Sequence, residues 1–257
     1  MKKTIKELKE QLSEVTQFDD PILLDALSDK RKGVIELTIK TQNRIKKEMI
    51  KKVDFQCRFK YERELRNKNI NIVAGIDEVG RGPLAGPVVA CAVILPEDFD
   101  LLEVNDSKKL SKSTRESLVP LIKEKAVAIG VGIADNQVID EYNIYEATKL
   151  AMRDALDDLD IKPEHLLIDA MEIDTSIPQT KLIKGDAKSN SIAAASIMAK
   201  HYRDEMMKDF SLTYPEYEFE VNVGYGTKKH LEALNQFGPT PIHRKSFSPV
   251  SKLINKS

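Results

Sequence analysis

Residues 75–87 read Gly-Ile-Asp-Glu-Val-Gly-Arg-Gly-Pro-Leu-Ala-Gly-Pro, and this stretch is the most informative part of the chain. An apolar run ends in two adjacent acids, Asp77 and Glu78, and a Gly-Arg-Gly turn follows at once. A second apolar run covers residues 88–95. Such runs are typical of buried strands, where an unpaired carboxylate is costly. The stretch therefore predicts two strands around a turn that carries a metal-and-phosphate site, and an exposed acidic hairpin turn is the alternative.

Charge is distributed unevenly along the 257 residues, whose net charge is −1. Residues 1–70 carry 18 Lys and Arg against 12 Asp and Glu, and residues 221–257 carry 6 against 1. The middle of the chain carries 16 basic against 28 acidic residues. Basic flanks around an acidic centre fit a protein that holds a polyanion at its edges and gathers cations between them. Ordinary solvated surface produces the same asymmetry.

Composition predicts a water-soluble, cytoplasmic protein. The two cysteines, Cys57 and Cys91, form no Cys-x-x-Cys pair, so we expect free thiols in a reducing compartment. Glu7 and neighbouring charges interrupt any signal-peptide core near the start, and no apolar run is long enough to span a bilayer. The chain is long enough to fold alone, so we expect a monomer.

The first part of the chain predicts helices. Residues 4–15 form a short amphipathic helix in which Thr4 and Glu7 make a capping box. An irregular stretch around Pro21 follows, and residues 34–68 indicate one long basic helical segment. We therefore expect a basic helical N-terminal extension over residues 1–70.

From residue 71 onward strands and helices alternate. Strands are predicted at 72–77, 88–95, 127–134, 166–168 and 181–184, and helices at 113–125, 144–159 (capped by Asn143), 189–210 and 228–237. This alternation indicates an α/β domain over residues 71–257, with a mixed central β-sheet flanked by helices and a basic helical C-terminal tail.

Acids stand at three separate strand ends. These are Asp77 with Glu78, then Asp169, then Asp186. Strand ends at one edge of a sheet converge, and carboxylates brought together repel unless a cation neutralises them. Oxygen ligands without nearby Cys or His favour Mg²⁺ or Mn²⁺ over zinc, and two such ions suit phosphodiester cleavage. Taken singly, Asp169 and Asp186 also fit ordinary loop or capping carboxylates.

Several further blocks complete a recognisable pattern. Residues 77–87 look like the signature of the ribonuclease HII family. The family's other blocks follow in order: Asp106-Ser107-Lys108-Lys109-Leu110, Leu167-Ile168-Asp169-Ala170, Lys184-Gly185-Asp186-Ala187-Lys188-Ser189, Ser191-Ile192-Ala193-Ala194-Ala195-Ser196 and Gly224-Tyr225-Gly226-Thr227. They cover roughly residues 72–245. The sister family, ribonuclease HIII, carries a different turn after its Asp-Glu pair, so Gly-Arg-Gly-Pro favours HII.

The resemblance implies an RNase H-like fold and an endonuclease that cuts the RNA strand of RNA–DNA hybrids. It also implies incision on the 5′ side of a single ribonucleotide in duplex DNA, which leaves a 3′-hydroxyl and a 5′-phosphate. The substrates would be RNA–DNA hybrids and ribonucleotide-containing duplex DNA. By motif position the catalytic, metal-binding acids would be Asp77, Glu78, Asp169 and Asp186, with Mn²⁺ or Mg²⁺ as cofactor.

The resemblance also implies substrate contacts. Gly80, Arg81 and Gly82 would probe the 2′-hydroxyl through backbone groups, because glycine lets the main chain approach closely and this hydroxyl separates RNA from DNA. Tyr225 would pack on the sugar next to the junction, although a core or helix-capping role is the alternative. Candidate phosphate contacts, which could equally be solvated, are Lys108, Lys109, Lys184 and Lys188. The basic extension either adds affinity for the duplex backbone or serves only packing.

Two rival functions fit parts of the sequence. Gly80-x-Gly82-x-x-Ala85 nominally matches a dinucleotide-binding fingerprint, but that motif needs a helix directly afterwards, whereas prolines and a strand follow here. A non-catalytic nucleic-acid-binding module would use the basic flanks equally well. The intact acidic set disfavours that module, because carboxylates in a nucleic-acid cleft hinder binding unless metals occupy them. The four histidines form no metal-spaced pair in the sequence.

Overall fold

The computed structural model describes residues 3–254, and the chain divides into two compact units, Met1–Cys57 and Arg58–Ser257. The predicted domain boundary at residue 70 lies further along the chain. Both cysteines are free, as predicted: Cys57 is exposed and Cys91 is buried. None of the helices within residues 3–254 is long and apolar enough to cross a membrane.

Over residues 3–57 the first unit contains three helices: α1 (Ile5–Glu14), α2 (Pro21–Leu27) and α3 (Lys32–Cys57). Helix α1 begins with the predicted capping box between Thr4 and Glu7. The prediction of an irregular stretch at Pro21 is wrong. Proline needs no backbone N–H partner in the first turn of a helix, and the Asp20 side chain caps α2 by accepting from the Ile22 N–H. The unit is held by a core that includes Leu8, Leu12, Leu23, Val34 and Ile45.

The long helix predicted over residues 34–68 is interrupted. Helix α3 ends at Cys57, and a separate helix, α4 (Lys60–Arg66), begins after Phe59. Helix α4 belongs to the second unit, where Tyr61 and Leu65 pack beside a small core that contains Leu167 and Ile192.

The second unit is built on a five-stranded mixed sheet. Its strands are β1 (Val73–Val79), β2 (Val88–Ile94), β3 (Ala128–Ala134), β4 (His165–Asp169) and β5 (Gln179–Leu182). The sheet order is β3-β2-β1-β4-β5, with β1 antiparallel to β2 and parallel to β4. Strand β2 pairs antiparallel with β3, and β4 pairs parallel with β5. The predicted α/β fold with a mixed sheet is therefore confirmed.

Helices surround this sheet. They are α5 (Lys112–Lys125), α6 (Asn136–Asp157), α7 (Asn190–Thr213), α8 (Phe219–Asn222), α9 (Lys228–Phe237) and α10 (Val250–Ile254). Helix α6 packs on β1, β2 and β3, and α7 packs on β1 and β2. Alternate residues of β1 face them: Ala74 and Ile76 join the core that contains α6, whereas Gly75 lies against α7. A Cβ on Gly75 would lie 2.2 Å from the Ser191 carbonyl carbon, so glycine permits the close approach of α7.

Among the predicted boundaries that differ from the structure, the start of one helix and the end of one strand have clear local causes. The helix expected from residue 144 begins at Asn136, where Asp135 caps it, and Asn143 forms a kink with φ 68°. The Asn143 side chain still accepts from the Tyr145 and Glu146 N–H groups, so the predicted cap operates inside a longer element. Strand β5 ends at Leu182 because Lys184 adopts a left-handed conformation that directs the chain into a 3₁₀ turn at Gly185–Ala187.

Candidate active site

Neighbouring strands place the predicted acids at one edge of the sheet. In the parallel pair of β1 and β4, Ile76 is opposite Ile168, so Asp77 and Asp169 are the next residues on adjacent strands. Asp169 is in turn paired with Leu182 of β5, which leads into the turn that carries Asp186. The structure thus brings together acids from three separate segments, as strand-end positions predicted.

Short hydrogen bonds fix two of these acids. The Gly185 N–H donates to Oδ1 of Asp169 at 2.6 Å, which ties β4 to the Asp186 turn. Asp77 accepts from the Glu78 N–H at 2.8 Å, and the nearby hydroxyl of Ser196 on α7 opposes the rise in the Asp77 pKa. The Ser196 hydroxyl also lies 2.9 Å from that of Ser107.

Burial and mutual repulsion disfavour ionisation of the cluster. The pKa of Asp77, which is 5% exposed, is raised well above its usual range by burial and then by the charges of Glu78 and Asp169. The pKa of Glu78 is raised by burial and by Asp169, although Arg81 opposes the shift with an Nη1–Oε1 distance of 3.4 Å. Burial, Asp106 and Asp169 raise the pKa of Asp186. Acids held this way favour a nearby cation.

The donor set fits a hard divalent ion. Oε2 of Glu78 is buried and accepts no hydrogen bond, which leaves a costly orphan acceptor beside the other carboxylates. Oxygen-only donors of this kind suit Mg²⁺ or Mn²⁺. Within residues 3–254 no three His, Cys, Asp or Glu side chains already converge as a metal shell requires. The site is therefore a set of close, repelling acids that a cation would neutralise.

Asp106 is a neighbour of the cluster that sequence reasoning missed. The charge of Asp106 helps to raise the pKa of Asp186, and its side chain accepts from the Lys108 N–H at 2.9 Å, at the start of a 3₁₀ turn over Ser107–Lys109. The sequence offered one signal, because Asp106 is the first residue of the family-like block Asp106-Ser107-Lys108-Lys109-Leu110. Unlike the other acids, however, it does not follow a predicted strand.

The Gly-Arg-Gly turn lies beside Tyr225. Gly80 has φ 96°, a conformation that glycine adopts at little cost. A Cβ on Gly82 would lie 3.4 Å from Cε1 of Tyr225, whose side chain is 46% exposed. The Leu84 N–H donates to the Gly224 carbonyl at 2.8 Å, which joins the two segments. After the turn the chain enters β2 and not a helix, so the dinucleotide-binding rival is excluded.

The candidate lysines lie on exposed turns next to the acids. Lys108 is near enough for its charge to oppose the rise in the Asp186 pKa. Lys184 and Lys188 flank the 3₁₀ turn of Asp186, and their side chains are exposed. Lys109 is exposed in the Asp106 turn.

A histidine pair supports the Tyr225 segment. The Nε2 atoms of His230 and His243 lie 3.0 Å apart, and Nδ1 of His230 lies 2.8 Å from the Tyr225 carbonyl oxygen. Both rings are buried. Because these histidines are thirteen residues apart in the sequence, on different segments, no local spacing signalled their contact.

Two protein families and several known ribonucleases HII match the sequence of this chain. The ribonuclease HII family matches residues 74–250, and the ribonuclease HII N-terminal domain matches residues 4–66. The chain is 56% identical over 250 residues to the ribonuclease HII of Lactobacillus delbrueckii subsp. bulgaricus, covering 97% of each chain. It is 56% identical over 256 residues to that of Ligilactobacillus salivarius, covering 99% of each.

A solved ribonuclease structure has a similar fold. The crystal structure of the ribonuclease H2 from Pyrococcus horikoshii OT3 is similar, with a TM-score of 0.62 and 27% identity over 72% of this chain and 97% of that one. The predicted RNase H-like fold is confirmed. With two family matches and near-complete relatives, the chain belongs to the ribonuclease HII family, endonucleases that cleave the RNA strand of RNA–DNA hybrids.

Proposed function

We propose that this ribonuclease HII also incises duplex DNA on the 5′ side of a single embedded ribonucleotide, leaving a 3′-hydroxyl and a 5′-phosphate. The observation that carries this proposal is the position of Gly82 next to the exposed Tyr225, 3.4 Å from whose ring an added Cβ would lie. A backbone turn can reach a 2′-hydroxyl that larger side chains would block, while an adjacent aromatic ring packs on the next sugar. The pair can therefore read one ribose in a strand of deoxyriboses.

The metal-binding catalytic acids are Asp77, Glu78, Asp169 and Asp186, and they hold Mg²⁺ or Mn²⁺. The orphan Oε2 of Glu78 and the raised pKa of Asp77 support this assignment, because a cation removes both penalties. Two such ions bound there would supply the activation of a water and the stabilisation of the leaving oxygen of a phosphodiester.

The chain's own groups provide the geometry of the reaction. A hydrogen bond from the Glu78 N–H holds the Asp77 carboxylate, and one from the Gly185 N–H holds that of Asp169. Side chains fixed in this way lose little entropy when the substrate binds. Water attacks the phosphorus on the 5′ side of the ribonucleotide, in line with the departing 3′ oxygen, and Asp186 completes the site or positions that water.

Basic groups hold the nucleic-acid backbone around this centre. Exposed side chains beside the acids place positive charge where phosphates would pass; they are Lys108, Lys109, Lys184 and Lys188. The N-terminal extension, predicted over residues 1–70, adds affinity for the duplex through its surplus of basic residues. The enzyme acts as a cytoplasmic monomer, and its free cysteines suit a reducing compartment.

Three duplexes of one sequence test the proposal: one with a single ribonucleotide, one entirely of DNA, and an RNA–DNA hybrid. Each is incubated with the full-length protein and Mg²⁺, Mn²⁺ or a chelator. We expect a metal-dependent cut immediately 5′ of the ribonucleotide and none in the DNA control. Cleavage of the hybrid alone would refute single-ribonucleotide incision and leave the ribonuclease H activity in place.

Substitution assigns the acids. We expect Asp77→Asn to abolish cleavage while hybrid binding is largely retained. The matched control is Asp174→Asn, because the Asp174 side chain is 94% exposed in the loop after β4. Full activity of Asp77→Asn would refute the metal-site assignment.

A further inference from the structure

Two arginines lie buried beneath the Gly-Arg-Gly turn, and the mechanism above does not use them. Arg203 on α7 and Arg244 after α9 are both 0% exposed. Throughout residues 3–254, neither guanidinium has a carboxylate at ion-pair distance. Burial lowers the pKa of Arg203 to about 10 and that of Arg244 to about 9, so both remain charged at neutral pH. A buried charge without a counter-ion is costly and calls for a structural or functional explanation.

Backbone carbonyls of the turn take the place of that counter-ion. Arg244 donates from Nη1 to the Arg81 carbonyl at 2.9 Å, from Nε to the Gly86 carbonyl at 3.0 Å, and from Nη2 to the Gly80 carbonyl. Three carbonyls of residues 80–86 are thereby drawn towards one guanidinium.

Arg203 joins the same loop to the Tyr225 segment. It donates from Nε to the Pro87 carbonyl at 2.9 Å and from Nη2 to the Ala85 carbonyl at 3.2 Å. Its Nη1 donates to the carbonyl of Val223, two residues before Tyr225, at 2.9 Å. Val223 has φ 44°, an unusual conformation for a β-branched residue, and this bond helps to hold it.

The direction of the carbonyls fixes the direction of the amides. In a planar trans peptide the C=O of one residue and the N–H of the next point in opposite directions. Because the Gly80 and Arg81 carbonyls point inward to Arg244, the N–H groups of Arg81 and Gly82 point away from it. In the described part of the chain neither of these N–H groups donates to a protein atom, and Gly82 is exposed. They are two oriented and available donors.

We propose that Arg244, braced by Arg203, is a positioning residue that presents the Arg81 and Gly82 N–H groups to the ribose at the cleavage junction and so sets the preference for RNA over DNA. This inference rests on the proposed recognition of a single ribonucleotide. Arg244 does not touch the substrate. It fixes the peptide planes, so its loss lets the turn sample orientations in which the donors no longer meet the 2′-hydroxyl.

Binding measurements separate this role from catalysis. In full-length protein carrying Asp77→Asn, dissociation constants are measured by fluorescence anisotropy for a duplex with one ribonucleotide and for the same duplex in DNA. Adding Arg244→Gln is expected to lower the ratio of the all-DNA dissociation constant to the ribonucleotide-duplex dissociation constant by about tenfold, the effect of losing one or two well-placed hydrogen bonds. The constant for all-DNA duplex should stay within about twofold, because backbone phosphate contacts dominate it.

Two further variants complete the test. Arg244→Lys keeps the charge but lacks the fork of donors. We therefore expect an intermediate ratio of the all-DNA to the ribonucleotide-duplex dissociation constant, at least about threefold below that of the parent. If Arg244→Gln does not fold, as judged by its thermal unfolding, the lysine variant decides. The matched control is Arg66→Gln, because Arg66 donates to the Leu95 carbonyl at the opposite end of β2, and its ratio should equal that of the parent.

The outcomes separate the positioning role of Arg244 from recognition of the ribonucleotide by the turn. If the parent protein prefers the ribonucleotide duplex and the Arg244 variants prefer it equally, the positioning role is overturned. Recognition of the ribonucleotide by the turn would then stand. A parent that shows no discrimination refutes recognition by the turn, and this inference falls with it. Equal weakening on both duplexes would identify Arg244 as a residue of general stability and overturn the proposal.

Discussion

The Nε2 atoms of His230 and His243 lie 3.0 Å apart, and their bond defines the proton positions of both rings. The Thr240 N–H donates to Nδ1 of His243 at 2.9 Å, so the His243 proton resides on Nε2 and is donated to His230. His230 then carries its proton on Nδ1 and donates it to the Tyr225 carbonyl. The chain of bonds requires two neutral rings, because protonation of either one would place two N–H groups face to face.

This pair makes stability depend on pH. Burial and the neighbouring His230 lower the pKa of His243 to about 4 from 6.5, and burial lowers that of His230 as well. The unfolded chain therefore binds more protons between these values, so the pair's contribution is complete above pH 6.5 and is lost as pH falls towards 4. For His243 alone the loss is about 3 kcal/mol. Urea unfolding between pH 7.5 and 4.5 measures it, and His243→Gln should flatten the profile; equal slopes for both proteins would contradict the role.

Asp77→Asn should stabilise the metal-free protein while it abolishes cleavage. The pKa of Asp77 is raised in the folded state, so its carboxyl contributes stability below the usual pKa near 3.8 that is lost as pH rises. Replacing it by a neutral isostere removes this penalty, and we expect a gain of about 1–3 kcal/mol at pH 8 that shrinks in acid. Denaturant unfolding in chelator provides the measurement. A loss of stability at pH 8 would show that Asp77 is not under repulsive strain.

Gly80→Ala should destabilise both the Gly-Arg-Gly turn and the packing of Arg203 beneath it. A Cβ at this position would lie 2.2 Å from Nε of Arg203, and the φ of 96° is itself unfavourable for alanine. Together these effects are expected to cost about 2–4 kcal/mol of stability. Gly238→Ala is the matched control, since it shares a positive φ of 76° but has no atom within 4 Å of the added Cβ. Similar losses for both variants would mean that backbone strain alone, and not the contact with Arg203, decides the cost.

Removal of the basic extension should separate binding from folding. We expect deletion of residues 1–68 to raise the Michaelis constant and to flatten the dependence of binding on salt, because phosphate contacts are lost. The structure indicates a cleaner boundary at residue 57. Arg58 donates to Oδ1 of Asn190 at 3.0 Å, and buried Glu62 accepts from the Ser189 hydroxyl at 2.7 Å.

Deletion of residues 1–57 should therefore keep the stability of the second unit, whereas deletion of residues 1–68 should also lower its melting temperature by several degrees. Thermal unfolding and a salt titration of both truncated proteins provide the comparison. Unchanged kinetics across salt concentrations would reduce the extension to a packing appendage.

The sequence predicted those parts of the fold whose signals are local. The apolar run before Asp77 and the prolines around Gly86 were sufficient to place β1, the turn and β2, and the acids at strand ends identified the cluster. Helix boundaries were less accessible. Pro21 suggested irregular chain where it starts a helix, and the cap at Asn143 hid the first turns of α6.

Long-range relationships could not be predicted from local patterns. Buried arginines are rare, and the sequence around Arg203 and Arg244 offers no sign that six backbone carbonyls surround them. The electrostatic effect of Asp106 on Asp186 likewise arises only when a 3₁₀ turn is placed beside another segment. Such contacts depend on the packing of α7 and the sheet, which no single stretch of sequence encodes.

The order of the strands along the chain also determines how late in synthesis all four candidate acids are present. Strands β1, β2 and β3 form an antiparallel meander from contiguous sequence, but this meander holds only Asp77 and Glu78. Asp169 and Asp186 arrive with β4 and β5, after α6 has been synthesised. Pairings between parts so distant in sequence form late. On the proposed assignment, a nascent or prematurely terminated chain would carry only two of the four metal-binding acids, so hydrolysis would begin only after synthesis has passed Asp186.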